Sequence, residues 1–205
     1  LASRMMLPAA VDKGKSRSSF ALPTRRTVGL GALCFLALMI EGSILDWAAI
    51  MMREKFLVDA SFAALAFGFY QGGMAVARFT GDWLRLTVGA VRLIFVSALM
   101  AAAGTAVALA VPSPEVAIAA FVFAGLGIGN VAPILFAGGG RLEPDAPGRG
   151  IAAVTTLGYS GFLAGPPLIG FAAQLTSLPV ALGLTVIAAL IIAAFARMVD
   201  AADSF

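Results

Sequence analysis

Few residues in this sequence could do chemistry, and the acid Glu41 heads them. It lies inside a long apolar run, close to the middle, with Asp46 five positions further on. An ionised carboxylate at the centre of a bilayer costs about 3 kcal/mol, so if the run crosses a membrane, Glu41 must face protein or water. Asp46 lies about 140° around a helix from Glu41 and nearer its outer end, so the two acids are not one paired-carboxylate site. Tyr70, Gln71, Asn130 and Tyr159 place hydrogen-bonding groups at comparable depth in other apolar runs, with Thr155, Thr156 and Ser160 as weaker candidates. Arg78 and Asp82 are four apart, close enough to pair across one helical turn as a gating latch, and Gly165-Pro166-Pro167 could bend a helix during gating.

Other chemistry is disfavoured by what the sequence omits. Histidine is absent, which removes imidazole catalysis and histidine ligation of metals, and Cys34 is the one cysteine. There is no HExxH and no nucleophile elbow, so no enzyme activity, metal or cofactor is expected. Gly125-x-Gly127-x-Gly129 follows no strand and lies inside an apolar run, so it is not a dinucleotide fingerprint. A net charge of +3 without a basic stripe offers nucleic acid little.

The elements that must position these residues follow from composition. Of 205 residues, 60% are hydrophobic and 12% charged, far from the balance of a soluble domain. Apolar runs at about 28–50, 61–80, 91–111, 116–137, 150–174 and 178–197 predict six transmembrane helices, because runs of this length satisfy their own backbone and lack the alternation of barrel strands. Residues 1–26 read as a polar linker-like segment and 198–205 as a tail, on either side of a membrane domain at 27–197. With the N-terminus inside, twelve of the fourteen basic residues fall on the cytoplasmic side, so both termini are expected there.

Sliding the sequence on itself by 89 residues lays the second run on the fifth and matches Tyr70 with Tyr159 and Gly72 with Gly161. Three spans separate the copies, which predicts two inverted three-helix repeats. Close packing of small residues produces similar spacing on its own, and that alternative stays open. Central polar residues fall in the first, second, fourth and fifth runs, so those four are expected to line an aqueous cavity, and the third and sixth to face lipid.

At these residues the chain resembles the C-terminal six-helix half of a major facilitator superfamily transporter, in the fucose-permease-like bacterial branch. The resemblance rests on Glu41-Gly42-Ser43-Ile44-Leu45-Asp46-Trp47, Arg78-Phe79-Thr80-Gly81-Asp82, Asn130-Val131-Ala132-Pro133 and the run from Thr156 to Gly170, and covers residues 27–197. The loop motif is degenerate, with Arg78, Trp83 and Arg85 where the family usually has Gly, a basic residue and Gly. The resemblance implies an all-α protein of the bacterial inner membrane that moves a small polar solute by alternating access, with proton coupling through Glu41. It also implies a partner: an N-terminal six-helix half missing from this chain, or a second copy. A six-helix receptor, scaffold or truncated half-transporter that transports nothing is the alternative reading.

Overall fold

Turn chemistry sets where the helices stop. A computed structural model describes residues 23–200; residues 1–22 of the expected linker and 201–205 of the expected tail lie outside the described residues. The helices are α1 (Val28–Phe56), α2 (Ala60–Val88), α3 (Ala90–Ala110), α4 (Pro114–Ile128), α5 (Val131–Leu142), α6 (Pro147–Leu175) and α7 (Leu178–Ala194), followed by a 3-10 turn, Ala196–Val199. Leu57 closes α1 in the left-handed region at φ 55°, its amide donating to the Arg53 carbonyl at 3.0 Å. Asp59 then caps α2, its carboxylate accepting from the Ser61 and Phe62 amides at 2.8 and 3.0 Å. α2 stops at Gly89, whose φ of 81° would strain any residue with a side chain.

Three boundaries differ from the apolar runs. α1 continues through Arg53-Glu54-Lys55, because charged residues at a water-facing end still form helix well. Lys55 there donates from Nζ to the Leu109 and Val111 carbonyls at 2.6 and 2.7 Å, satisfying the open end of α3. Gly81-Asp82-Trp83 does not end the second span; it lies inside α2, which runs on to Val88. A glycine mid-helix costs about 1 kcal/mol, too little to stop a helix of 29 residues. The fourth run is interrupted at Gly129-Asn130 between α4 and α5. Pro133 supplies the cause: it has no N–H for the carbonyl four residues back, which belongs to Gly129.

Four stretches are long and apolar enough to cross a membrane: α1, α2, α3 and the α4–α5 pair taken together. α7 is apolar but short at 17 residues. α6 has 29 residues, diluted by Gly, Pro, Thr, Tyr and Ser.

α1 packs most extensively on α6 and also touches α7, α2 and α5; α4 packs on α2 and α3, and α3 on α7. Exchanging α1, α2 and α3 with α4, α6 and α7 maps these neighbours onto one another: α1 on α6 becomes α4 on α2, and α1 on α7 becomes α4 on α3. The closest approaches use glycine in the same exchanged way. A Cβ on Gly161 would strike the Phe35 backbone, and one on Gly73 the Val122 carbonyl, whereas a Cβ on Gly72 would meet nothing within 4 Å. By packing, Gly161 corresponds to Gly73, one residue from the Gly72 that sequence matching selects. One residue is about 100° of helix, which takes Tyr70 off Tyr159 and accounts for their unlike settings: Tyr70 is fully buried and Tyr159 is 54% exposed.

Candidate functional site

The break in the fourth span leaves the Gly129 carbonyl without its helical donor, and Arg78 takes it. Arg78 Nε donates to Gly129 O at 3.4 Å, while Nη2 lies 3.3 Å from both oxygens of Glu41. One guanidinium thus ties the middle of α1, the C-terminal half of α2 and the α4–α5 break. The continuation of α2 to Val88 makes this geometry available, since it sets Arg78 level with Glu41 rather than at a helix end. The expected latch between Arg78 and Asp82 does not form; Arg78 turns to Glu41 instead, and the exposed Asp82 joins Arg78, Arg85 and Asn130 around a cavity of about 110 Å³. A carboxylate inside a span gains more from an arginine than does one at a wet helix end.

The pair is asymmetric in its surroundings. Glu41's side chain is 14% exposed and Arg78's 47%, so the acid is mostly enclosed while the base keeps an open side. Asn130 is buried, with its side-chain oxygen pressed against Gly81 of α2. Tyr70 lies within electrostatic reach of both Glu41 and Arg78, and its buried hydroxyl has no hydrogen-bond partner among the described residues. The Gln71 Oε1 and the Ser43 Oγ are likewise orphaned. A buried polar atom left without a partner costs about 1–3 kcal/mol, so the orphaned Tyr70 hydroxyl near the ion pair is expensive for packing alone, whereas Ser43 lies on the α6 side of α1, at Gly165.

The candidates on α6 fall into two sets. Tyr159 stacks edge-on against Phe162 with ring centroids 6.5 Å apart, Phe162 abuts Gly42 of α1, and Tyr159 itself is exposed. Ser160 is exposed and spends its hydroxyl on the Leu157 carbonyl at 2.6 Å; Thr155 and Thr156 are half-buried. Asp46 is exposed and apart from the pair. Gly165 packs against Met39 and Ser43 of α1, and the Pro166 carbonyl accepts from Trp47 Nε1 at 2.9 Å, so this run is a docked segment of α6. α2 and α6 flank α1 on separate sides. Among the described residues, no group of three or more His, Cys, Asp or Glu could hold a metal ion.

Two members of the site escape a reading of side-chain types. The Gly129 carbonyl is a backbone group, signalled by proline at the fourth position after it. Arg78's role depended on where α2 ends, and the Gly81-Asp82 break signal pointed the wrong way.

The sequence and the fold find the same relatives. The chain is 36% identical over 180 residues to an uncharacterized MFS-type transporter of Yersinia pestis, covering 88% of this chain and 47% of that protein. It is 31% identical over 182 residues to membrane protein MosC of Rhizobium meliloti, covering 87% and 45%. The chain belongs to the major facilitator superfamily. No family model matches it. Among solved structures, FucP, a major facilitator transporter in the outward conformation, superposes with a TM-score of 0.76 at 17% identity, covering 97% of this chain and 46% of that one. A second structure of FucP, the E. coli fucose:proton symporter, gives 0.76 at 18% identity over 86% and 43%. At that identity these structures show the fold.

This major facilitator chain spans about half the length of the curated relatives it matches. Its exposed apolar side chains, Phe79, Leu86, Leu163 and Phe171 among them, suit the surroundings of a membrane protein.

Proposed function

We propose that the chain forms one six-helix half of a secondary transporter, built from two inverted three-helix repeats, which carries a small polar solute across the bacterial inner membrane by alternating access. The observation that supports this most directly is the Arg78 guanidinium shared between the Glu41 carboxylate and the freed Gly129 carbonyl. Protonating Glu41 removes its claim on Arg78, whose open side then accepts a hydroxyl or carboxylate of a solute, while Gly129 keeps hold of Nε. Deprotonation restores the ion pair and expels the solute from it. Tyr70, Gln71, Asn130 and Tyr159 are the proposed hydrogen-bonding groups around that exchange. FucP, whose fold this chain shares, is a fucose:proton symporter, so a proton and a sugar-like solute are the first pair to try. The other cavity wall comes from a second six-helix half, and both termini face the cytoplasm.

The test uses the full-length transporter in proteoliposomes, with solute chosen by a sugar and polyol screen. Glu41→Gln should abolish accumulation driven by an imposed proton gradient and retain solute exchange at equal concentrations. Normal gradient-driven accumulation by that variant would refute the coupling role.

A further inference from the structure

A second cavity lies on a different flank from the ion pair. α2 and α3 touch only lightly, and between them, floored by α4, runs a groove of about 380 Å³. Its α2 wall is Ala77, Thr80, Leu84 and Val88, and its α3 wall includes Leu93, Val96 and Met100. From Ala77 to Val88 the wall is about 16 Å long at 1.5 Å rise per residue. The lining is mostly apolar, with Thr80, Ser97 and Asn130 as its neutral polar members, and carries one charge, Arg92, at the end beside Val88. Arg92 is exposed, and among the described residues it makes no ion pair.

The flank of α2 next to this groove is apolar as well. Val76, Phe79, Trp83 and Leu86 follow one another at helical spacing and are 54%, 91%, 66% and 88% exposed. Tryptophan near a helix end marks the headgroup level in membrane proteins, and Trp83 stands a little more than one turn from Val88. Such a flank suits acyl chains along the groove and headgroups at its Arg92 end. At its inner end Asn130 borders both this groove and the small cavity beside Arg78.

We infer that the α2–α3 groove is a binding site for one anionic glycerophospholipid, its acyl chain lying between Ala77 and Val88 and its headgroup phosphate paired with Arg92. The charge decides the class of lipid. A zwitterionic headgroup brings its own cation to the same place and gains less from a lone arginine, whereas a net negative one is attracted by about fivefold for each basic residue at the surface. A protein helix is a poor occupant, since about 380 Å³ spread along about 16 Å leaves too small a cross-section for a cylinder of about 10 Å diameter.

The full-length protein, purified in detergent and stripped of endogenous lipid, is offered dioleoyl phosphatidylglycerol or dioleoyl phosphatidylcholine, and retained lipid is counted by native mass spectrometry. Phosphatidylglycerol should be retained about fivefold better. Arg92→Gln should bring it down to the phosphatidylcholine level, and Arg92→Lys should keep most of the preference. Val96→Trp, which fills the groove from an exposed position, should reduce retention of both lipids. Arg149→Gln, an exposed arginine outside the groove, serves as the control and should change nothing. Equal retention of the two lipids, or a preference that survives Arg92→Gln, would overturn the inference. So would failure to retain either lipid together with cross-linking of Val96→Cys to another protein segment, which would identify protein as the occupant.

Discussion

α1 crosses two neighbours in opposite ways. Against α6 it is in backbone contact: Gly161 lies on Phe35, Gly165 on Met39, and Gly42 on the Phe162 carbonyl that Pro166 leaves without a helical donor. Against α2 it meets a half-exposed arginine through the side chain of Glu41. The first crossing has no spare room and no alternative partner. The second is made of groups that can exchange partners; in the proposed function a proton, a solute and the Gly129 carbonyl compete for its two charges. Rigidity is thus concentrated on one side of α1 and exchangeable polarity on the other. A transporter needs both, a wall that moves as a unit and a contact that can be remade.

The largest effect should come from breaking the rigid crossing. Gly161→Leu drives a side chain into the Phe35 backbone, and overpacking of this kind costs about 1–3 kcal/mol or more where backbone must shift. The expected outcome is loss of monodisperse protein on size-exclusion chromatography. Gly72→Leu, in open space at the position that sequence matching pairs with Gly161, should purify as the parent does. Equal behaviour of the two variants would mean that the close backbone approach at Gly161 is not what makes the α1–α6 crossing rigid.

The polar crossing should break more gently and show coupling. Arg78→Gln leaves a largely enclosed carboxylate without its cation. The cost should be roughly 1–3 kcal/mol, between the values for exposed and buried pairs, because Arg78 is half-exposed. Glu41→Gln should cost less, since the remaining arginine keeps the Gly129 carbonyl and its solvent-facing side. Combining the two should cost less than the sum of the single changes, measured as melting temperatures of the purified protein. Strict additivity would mean the two side chains do not sense each other.

A smaller effect is expected at Trp47, which fastens α1 to α6 by a single neutral hydrogen bond to the Pro166 carbonyl. Trp47→Phe keeps the aromatic body and removes the donor, so a loss of about 1 kcal/mol is expected, visible as a small drop in melting temperature with transport unchanged.

What the sequence made legible follows the physics of each feature. Apolar runs announce helices because a bilayer demands internally bonded backbone, and Glu41 announces itself because its burial is costly. Grouping was harder. Arg78 could be assigned to Asp82 because only neighbours along one helix can be judged from spacing, whereas its actual partner is on α1 and depends on how far α2 extends. Tyr70 and Tyr159 matched by letter, yet a slip of one residue turns one of them into the protein and the other out of it. The Gly129 carbonyl was readable from Pro133, provided backbone acceptors are counted along with side chains.

The smallest effect tests the end of the polar crossing that lies in water, where α1 turns into α2. Hydrogen bonds from the Phe62 and Ser61 amides hold the Asp59 carboxyl below its ordinary value of 3.8. A depressed folded-state pKa means the cap contributes fully above the unfolded-state value near 4, and is lost as pH falls through the folded one. Asp59→Asn supplies the same acceptor without a titrating proton, so its stability should vary less than the parent's as pH drops from about 5 to 3. Other carboxylates titrate in both proteins and cancel in the difference between the two curves. Parallel curves over that window would mean the Ser61 and Phe62 amides do not favour the charged cap, and that the start of α2 is held by its packing on α4 alone.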